Sequence, residues 1–182
     1  MSTRQKLCMV LPLALILCFV VGCQDKEAMA ELEEMKAQAE VEEQNKGLVK
    51  RMYEAWEKGD FEAYKEVVAP DFAYYSPSRS TKPMSREETI EFGKMLQKVF
   101  PDSSYSIEVI AVEDRVISRF IVRGTHEGEY RGIPATGNKT ESSGIEIFRI
   151  ENGKIVESKE EFDQLGLMMQ LGMELKPKEE EK

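Results

Sequence analysis

Cysteine and histidine are nearly absent from most of this chain, and their scarcity excludes two kinds of chemistry at once. The three cysteines, Cys8, Cys18 and Cys23, all fall within the first 23 residues, and His126 is the single histidine. Beyond Cys23 there is neither a disulfide partner nor the set of several His or Cys ligands that a zinc site uses. No loop has calcium-ligand spacing, so the sequence predicts no metal and no cofactor. Positive charge is also in deficit, with 25 Lys and Arg against 34 Asp and Glu and a net charge of −9. That balance argues against nucleic acid and bare anionic membrane surfaces as partners. Long apolar runs are lacking too. The one uncharged stretch, Leu7 to Val21, is interrupted by Pro12 and falls short of the roughly 20 apolar residues of a spanning helix.

What the first residues do contain is a basic start, Arg4 and Lys6, ahead of that apolar stretch, which is the layout of a secretory signal. Gly22 directly before Cys23 resembles the lipobox of bacterial lipoproteins. The resemblance implies removal of a signal peptide, residues 1–22, and acylation of Cys23 as the first residue of a lipid-anchored, extracytoplasmic protein of the cell envelope. An ordinary secreted protein and a signal anchor are the alternatives. One acyl chain anchors only marginally, so a multiply acylated cysteine is the expected form. Losing Arg4 and Lys6 takes the net charge from −9 to −11. With Cys8 and Cys18 gone, no intramolecular disulfide remains, and the fold has to rest on its hydrophobic core.

Residues 23–44 are rich in Glu, Ala, Gln, Lys and Met and read as an acidic helical spacer. The globular domain is placed at 45–173, followed by a charged, disordered tail at 174–182. Leu48, Met52, Ala55 and Trp56 form a helical stripe ending at Gly59, and Asp60 is placed to cap a second helix carrying Phe61, Tyr64 and Val67. Ser85 and Glu88 make a capping box that opens a third helix, closed at Pro101. Strands are predicted at Ser104 to Glu113, Arg115 to Glu127, Ser142 to Ile150 and Lys154 to Phe162, with a turn at Asn152 and Gly153. Helices followed by sequential antiparallel strands predict an α+β fold with the helices on one face of a curved sheet.

The segments MYEAWEKGDFEAYKEVVAPDF, GIPATG, FRIENGKIVE and DQLGLMMQLG together resemble the SnoaL-like polyketide cyclase family, also called ester cyclases, of the NTF2-like superfamily. The resemblance implies a cone: a bent antiparallel sheet wrapped around about three N-terminal helices, with an internal cavity. It also implies an aspartate as general acid/base in a metal-free aldol closure, at the position of Asp163 here. Two positions depart from the family, Lys159 where Trp is common and Tyr75 where many relatives carry histidine.

Regular alternation along the last strand puts Ile155, Glu157, Lys159, Glu161 and Asp163 on one face. An ammonium at Lys159 would favour the ionised form of Asp163. The same rule puts His126 on the face of Val116, Phe120 and Val122, looking inward, where it can partner Asp163. Asp163 is equally placed to cap the helix that begins near Gln164. Trp56, Tyr75, Phe120 and Lys159 are the expected ligand contacts, with Tyr53, Phe72, Tyr74, Met95 and Met168 as further lining. Two functions follow from these residues, and a third, a domain that only mediates dimerisation or envelope assembly, stays open because fold alone does not fix function. One is a cofactor-free cyclase or isomerase acting on a small apolar carbonyl compound. The other is a non-catalytic module that binds a small apolar ligand or an envelope partner. A homodimer is compatible with either.

Overall fold

The computed structural model describes the backbone of residues 3–174 and 176, and the side chains from residue 26 onward within that range. The chain divides into two compact units, one through Val41 and one from Glu42. The Cys23 side chain and residues 177–182 lie outside the described set, and with them the lipidation and most of the tail expectation. Among the described residues no helix is long and apolar enough to cross a membrane.

Helix α1 spans Thr3–Lys58, and the first unit consists of its N-terminal part. In the second unit α1 is followed by α2 (Phe61–Val67), β1 (Val68–Tyr75), β2 (Met84–Ser85), α3 (Arg86–Val99), β3 (Ser104–Val112), β4 (Arg115–Thr125), β5 (Lys139–Glu151), β6 (Lys154–Phe162) and α4 (Gln164–Gln170). The expected punctuation is present. Asp60 accepts from the Ala63 amide to cap α2, and Ser85 and Glu88 form the reciprocal capping box of α3. Asn152 and Gly153 both take positive φ, at 49° and 71°, as a tight hairpin turn requires.

The six strands run in the order β2-β1-β6-β5-β4-β3. All pairs are antiparallel except β1 with β6, so the sheet is two strands wider than the sequence predicts. Strand β1 escapes prediction because Pro70 and Asp71 interrupt its alternation; they are exposed while Val68, Ala69, Phe72 and Tyr74 are buried. Inner-face side chains pack on α1, α2 and α3 in one core that includes Val49, Met52, Tyr53, Tyr64, Phe120, Phe148 and Ile155. Phe120 and Phe162 stack across Gly144, which lies between them in register. A Cβ at Gly144 would sit 2.4 Å from Phe120 Cζ and 2.7 Å from the Glu161 carbonyl oxygen, so only glycine fits. On the opposite face of the sheet Ile110, Ile117 and Ile147 stand in one exposed cross-strand row.

Strand β6 carries a feature that periodicity does not reveal. Arg149 pairs with Glu157 but Ile150 pairs with Ile155, which leaves Val156 as an extra residue, a β-bulge. Beyond the bulge the alternation shifts by one. Ile155 faces inward, and so do Ser158 and Glu160, while Lys159 and Glu161 turn to solvent.

Candidate active site

The bulge decides which side chains reach the interior. Lys159 and Tyr75, expected as cavity contacts, are cross-strand neighbours on the outer face. The Lys159 ammonium lies 5.6 Å from the Tyr75 ring centroid and 3.2 Å from Glu157 Oε1. Asp163 is exposed as well. Its carboxylate accepts from the Gly166 amide at 2.8 Å and caps α4, so the capping role is the observed one. Asp163 therefore lines neither of the interior cavities.

His126 is fully buried, as its inward position requires, but it does not meet Asp163. Its Nδ1 accepts from the Thr136 amide at 3.2 Å and lies 3.0 Å from Thr136 Oγ1, while its ring packs on Phe100. A ring nitrogen that accepts from an amide carries no proton, so Nε2 is the protonated nitrogen. Of the predicted contacts, Trp56 and Phe120 do line the interior, together with Tyr53, Phe72 and Tyr74. Met95 is exposed, and Met168 packs in the second, smaller core around Leu167.

The polar centre of the cavity is a pair that sequence reasoning missed, Glu146 and Glu160. They are direct cross-strand partners on β5 and β6, with exposures of 8% and 7%. Side chains so placed have Cβ atoms about 5 Å apart. Their surroundings differ. Glu160 Oε1 receives Arg79 Nε at 2.8 Å and the Ser76 hydroxyl at 3.1 Å. Arg79 reaches it from the loop after β1, its guanidinium 5.0 Å from the Phe92 ring centroid and 4.5 Å from that of Phe162. Burial works most strongly against that cation, and the Glu160 carboxylate, joined by Tyr74 and Tyr130, more than offsets it and holds the guanidinium protonated.

Among the described residues, none brings such a countercharge into contact with Glu146. Its Oε2 accepts from the Tyr53 hydroxyl at 3.0 Å. Burial first, and the charge of Glu160 second, push its carboxyl up from 4.5 to about 8. The Tyr53 phenol is itself pushed well above its ordinary value, by burial and then by Glu146, so at neutral pH it is a hydrogen-bond donor. A carboxyl raised by burial thus stands beside one paired with arginine, and such different surroundings of neighbouring carboxyls suit an acid and a base. The alternation of β5 carried a signal for Glu146, which shares the parity of Phe148 and Ile150. Nothing comparable marks Glu160, because the bulge sets its direction.

Two adjoining chambers surround this pair and share Trp56, Arg79, Leu96 and Tyr105 as walls. The first holds Glu146 and Glu160; the second runs on past Phe100, Tyr130 and Ser142. Each has a cavity volume of about 50 Å³.

A family model described as SnoaL-like polyketide cyclase matches residues 46–171. Two aklanonic acid methyl ester cyclases, DauD of Streptomyces sp. (strain C5) and DnrD of Streptomyces peucetius, are each 27% identical over 128 residues. Both alignments cover 69% of this chain, with 80% of DauD and 88% of DnrD. The structure of IdmH from Streptomyces antibioticus, described as a polyketide cyclase, superposes with a TM-score of 0.65 at 29% identity, over 71% of this chain and 99% of that one. AclR from Streptomyces galilaeus, described as a hydroxylase, matches with a TM-score of 0.65 at 29% identity, over 74% and 97%. The descriptions differ at equal similarity, so the reaction has to be argued from the site.

Proposed function

This chain belongs to the SnoaL-like polyketide cyclase family, and from that premise we propose that its domain is a cofactor-free acid/base enzyme of the ester cyclase or isomerase type. Its substrate is a small, mostly apolar carbonyl compound, and its working groups are Glu160 and Glu146. The observation that carries this reading is the cross-strand carboxyl pair in an aromatic cavity, with an arginine countercharge on only one member. Glu160 removes a proton from the carbon beside the carbonyl. The electron pair released forms the new carbon–carbon bond in a cyclisation, or moves onto oxygen in an isomerisation. Glu146 gives its proton to the oxygen on which negative charge develops. The proton then returns from Glu160 to Glu146, its cross-strand neighbour, and the site is reset.

Exchange of the α-hydrogens of 1-tetralone for deuterium, followed by NMR in heavy water, tests the assignment without knowledge of the natural substrate. Glu160→Gln is expected to lose about 100-fold or more of the catalysed rate. Asp163→Asn, which caps a helix about as well as aspartate, is expected to keep it. The reverse pattern would move the base to Asp163. Binding of the ketone with no exchange above buffer would instead support the non-catalytic binding module.

We also propose, from the sequence, that Cys23 is lipidated and holds the domain outside the cytoplasm. Cys23→Ser is then expected to abolish incorporation of labelled fatty acid and processing at residue 22. Unchanged processing without acylation would show an ordinary secreted protein.

A further inference from the structure

We infer that the second chamber is a recognition subsite for an uncharged oxygen function on the substrate, a hydroxyl or a carbonyl distant from the reacting carbonyl, and that Ser142 is the residue that reads it. The inference rests on the proposed carbonyl chemistry of the first chamber and adds what the other end of the substrate must carry.

Ser142 lies on the inner face of β5 opposite Val122, is 4% exposed and lines the second chamber. Its hydroxyl is buried and has no hydrogen-bond partner among the described residues. Thr140, one inward step earlier on the same strand, shows the ordinary arrangement, its Oγ1 donating to the Gly124 carbonyl at 3.0 Å. A buried hydroxyl without a partner costs stability that alanine would not. A group kept at that cost in a residue of the cavity wall is suited to a ligand atom.

The chamber's other walls define the rest of the ligand. Phe100, Val122, Phe162 and Leu167 form its apolar side, and Gln97, Ser103 and Arg123 are polar members of the lining, so the apolar side suits an apolar body between the two oxygen functions. Both cations of the chamber are already engaged, Arg79 by Glu160 and Arg123 by Glu141, which disfavours a carboxylate or phosphate at this end. Trp56, the chain's single tryptophan, is a shared wall, so one rigid ligand that fills both chambers must contact it.

Binding of 1-tetralone and of 6-hydroxy-1-tetralone, which carries a second oxygen at the far end of the same bicycle, is to be measured by calorimetry. Wild type is expected to prefer the hydroxylated ketone by about five- to tenfold, the contribution of one hydrogen bond. Ser142→Ala is expected to bind both ketones equally and to melt no lower than wild type without ligand, since no internal bond is lost. An unchanged preference in Ser142→Ala, the absence of a preference in wild type, or failure of both ketones to bind would each overturn the inference. Failure of the acid/base assignment is distinguishable, because it appears in the exchange rate of Glu160→Gln and leaves this ratio unchanged.

Discussion

Arg79→Met is expected to destabilise the domain by about 3–5 kcal/mol at neutral pH, the cost of leaving a buried carboxylate without its counterion. Arg79 and Glu160 meet at 2.8 Å with side-chain exposures of 10% and 8%, so solvent screens the pair little. Methionine keeps much of the apolar contact with Phe92 and Phe162, which isolates the loss of charge from the loss of packing. Adding Glu160→Gln to Arg79→Met removes the stranded charge and is expected to recover most of the loss. The two substitutions are then strongly non-additive, as expected of residues in direct contact. Urea unfolding of the four variants measures this coupling. An additive result would mean that the ion pair adds little to the stability of the cavity.

Glu146→Gln is expected to act in the opposite direction, and increasingly so as pH rises above about 4.5. The Glu146 carboxyl lies at about 8 in the folded protein against an ordinary 4.5. A folded-state value raised above the unfolded one favours folding fully below the unfolded value, and that advantage is lost as pH rises through the folded value. Wild type therefore forfeits Glu146's share of stability between pH 4.5 and about 8. Glutamine, which cannot ionise, forfeits nothing. At pH 5 the two proteins should melt within a few degrees of each other. At pH 9 the variant should gain on the order of a few kcal/mol, roughly 10 °C in melting temperature. Taking the difference between the two proteins cancels the titration of the many surface acids. Parallel melting curves across the range would show that Glu146 titrates as an ordinary carboxylate.

These two predictions concern residues that the sequence disclosed unequally, and the reasons are physical. Helix ends were legible because they depend on neighbours in the chain: Asp60 with Ala63, Ser85 with Glu88, and Asp163 with Gly166 are all contacts three residues apart. The four later strands were legible from β-branched alternation and from the turn at Asn152 and Gly153. The parallel pairing of β1 with β6 joins residues more than 80 positions apart, and no local pattern encodes it. The bulge at Val156 is local but has no signature in residue type. One unpaired residue there sends Glu160 inward and Lys159 outward, and this accounts for the misplacement of Lys159 and for the loss of Asp163 from the interior. Tyr75 was misplaced because its strand was not foreseen. Trp56 and Phe120 do line the interior, because their faces are set by uninterrupted helical and strand periods.

The bulge also has a functional consequence. Without it, regular alternation would present Glu157 and Lys159 to the cavity, where Lys159 would neutralise the carboxylate beside it. With it, the inner face receives Ser158 and Glu160, and among the described residues the only cation in contact with Glu160 is Arg79, supplied by the loop after β1. The acid and the base thus come from two adjacent strands, and the countercharge comes from a third element. That division lets the electrostatics of Glu160 and of Glu146 differ although their side chains are neighbours.

The central claim is that Glu146 is a protonated acid at neutral pH beside an arginine-paired Glu160. Titration of the Glu146 side-chain carboxyl carbon by 13C NMR, assigned with Glu146→Gln, addresses it most directly. The account predicts a midpoint near 8; a midpoint near 4.5, the ordinary value for glutamate, would contradict it.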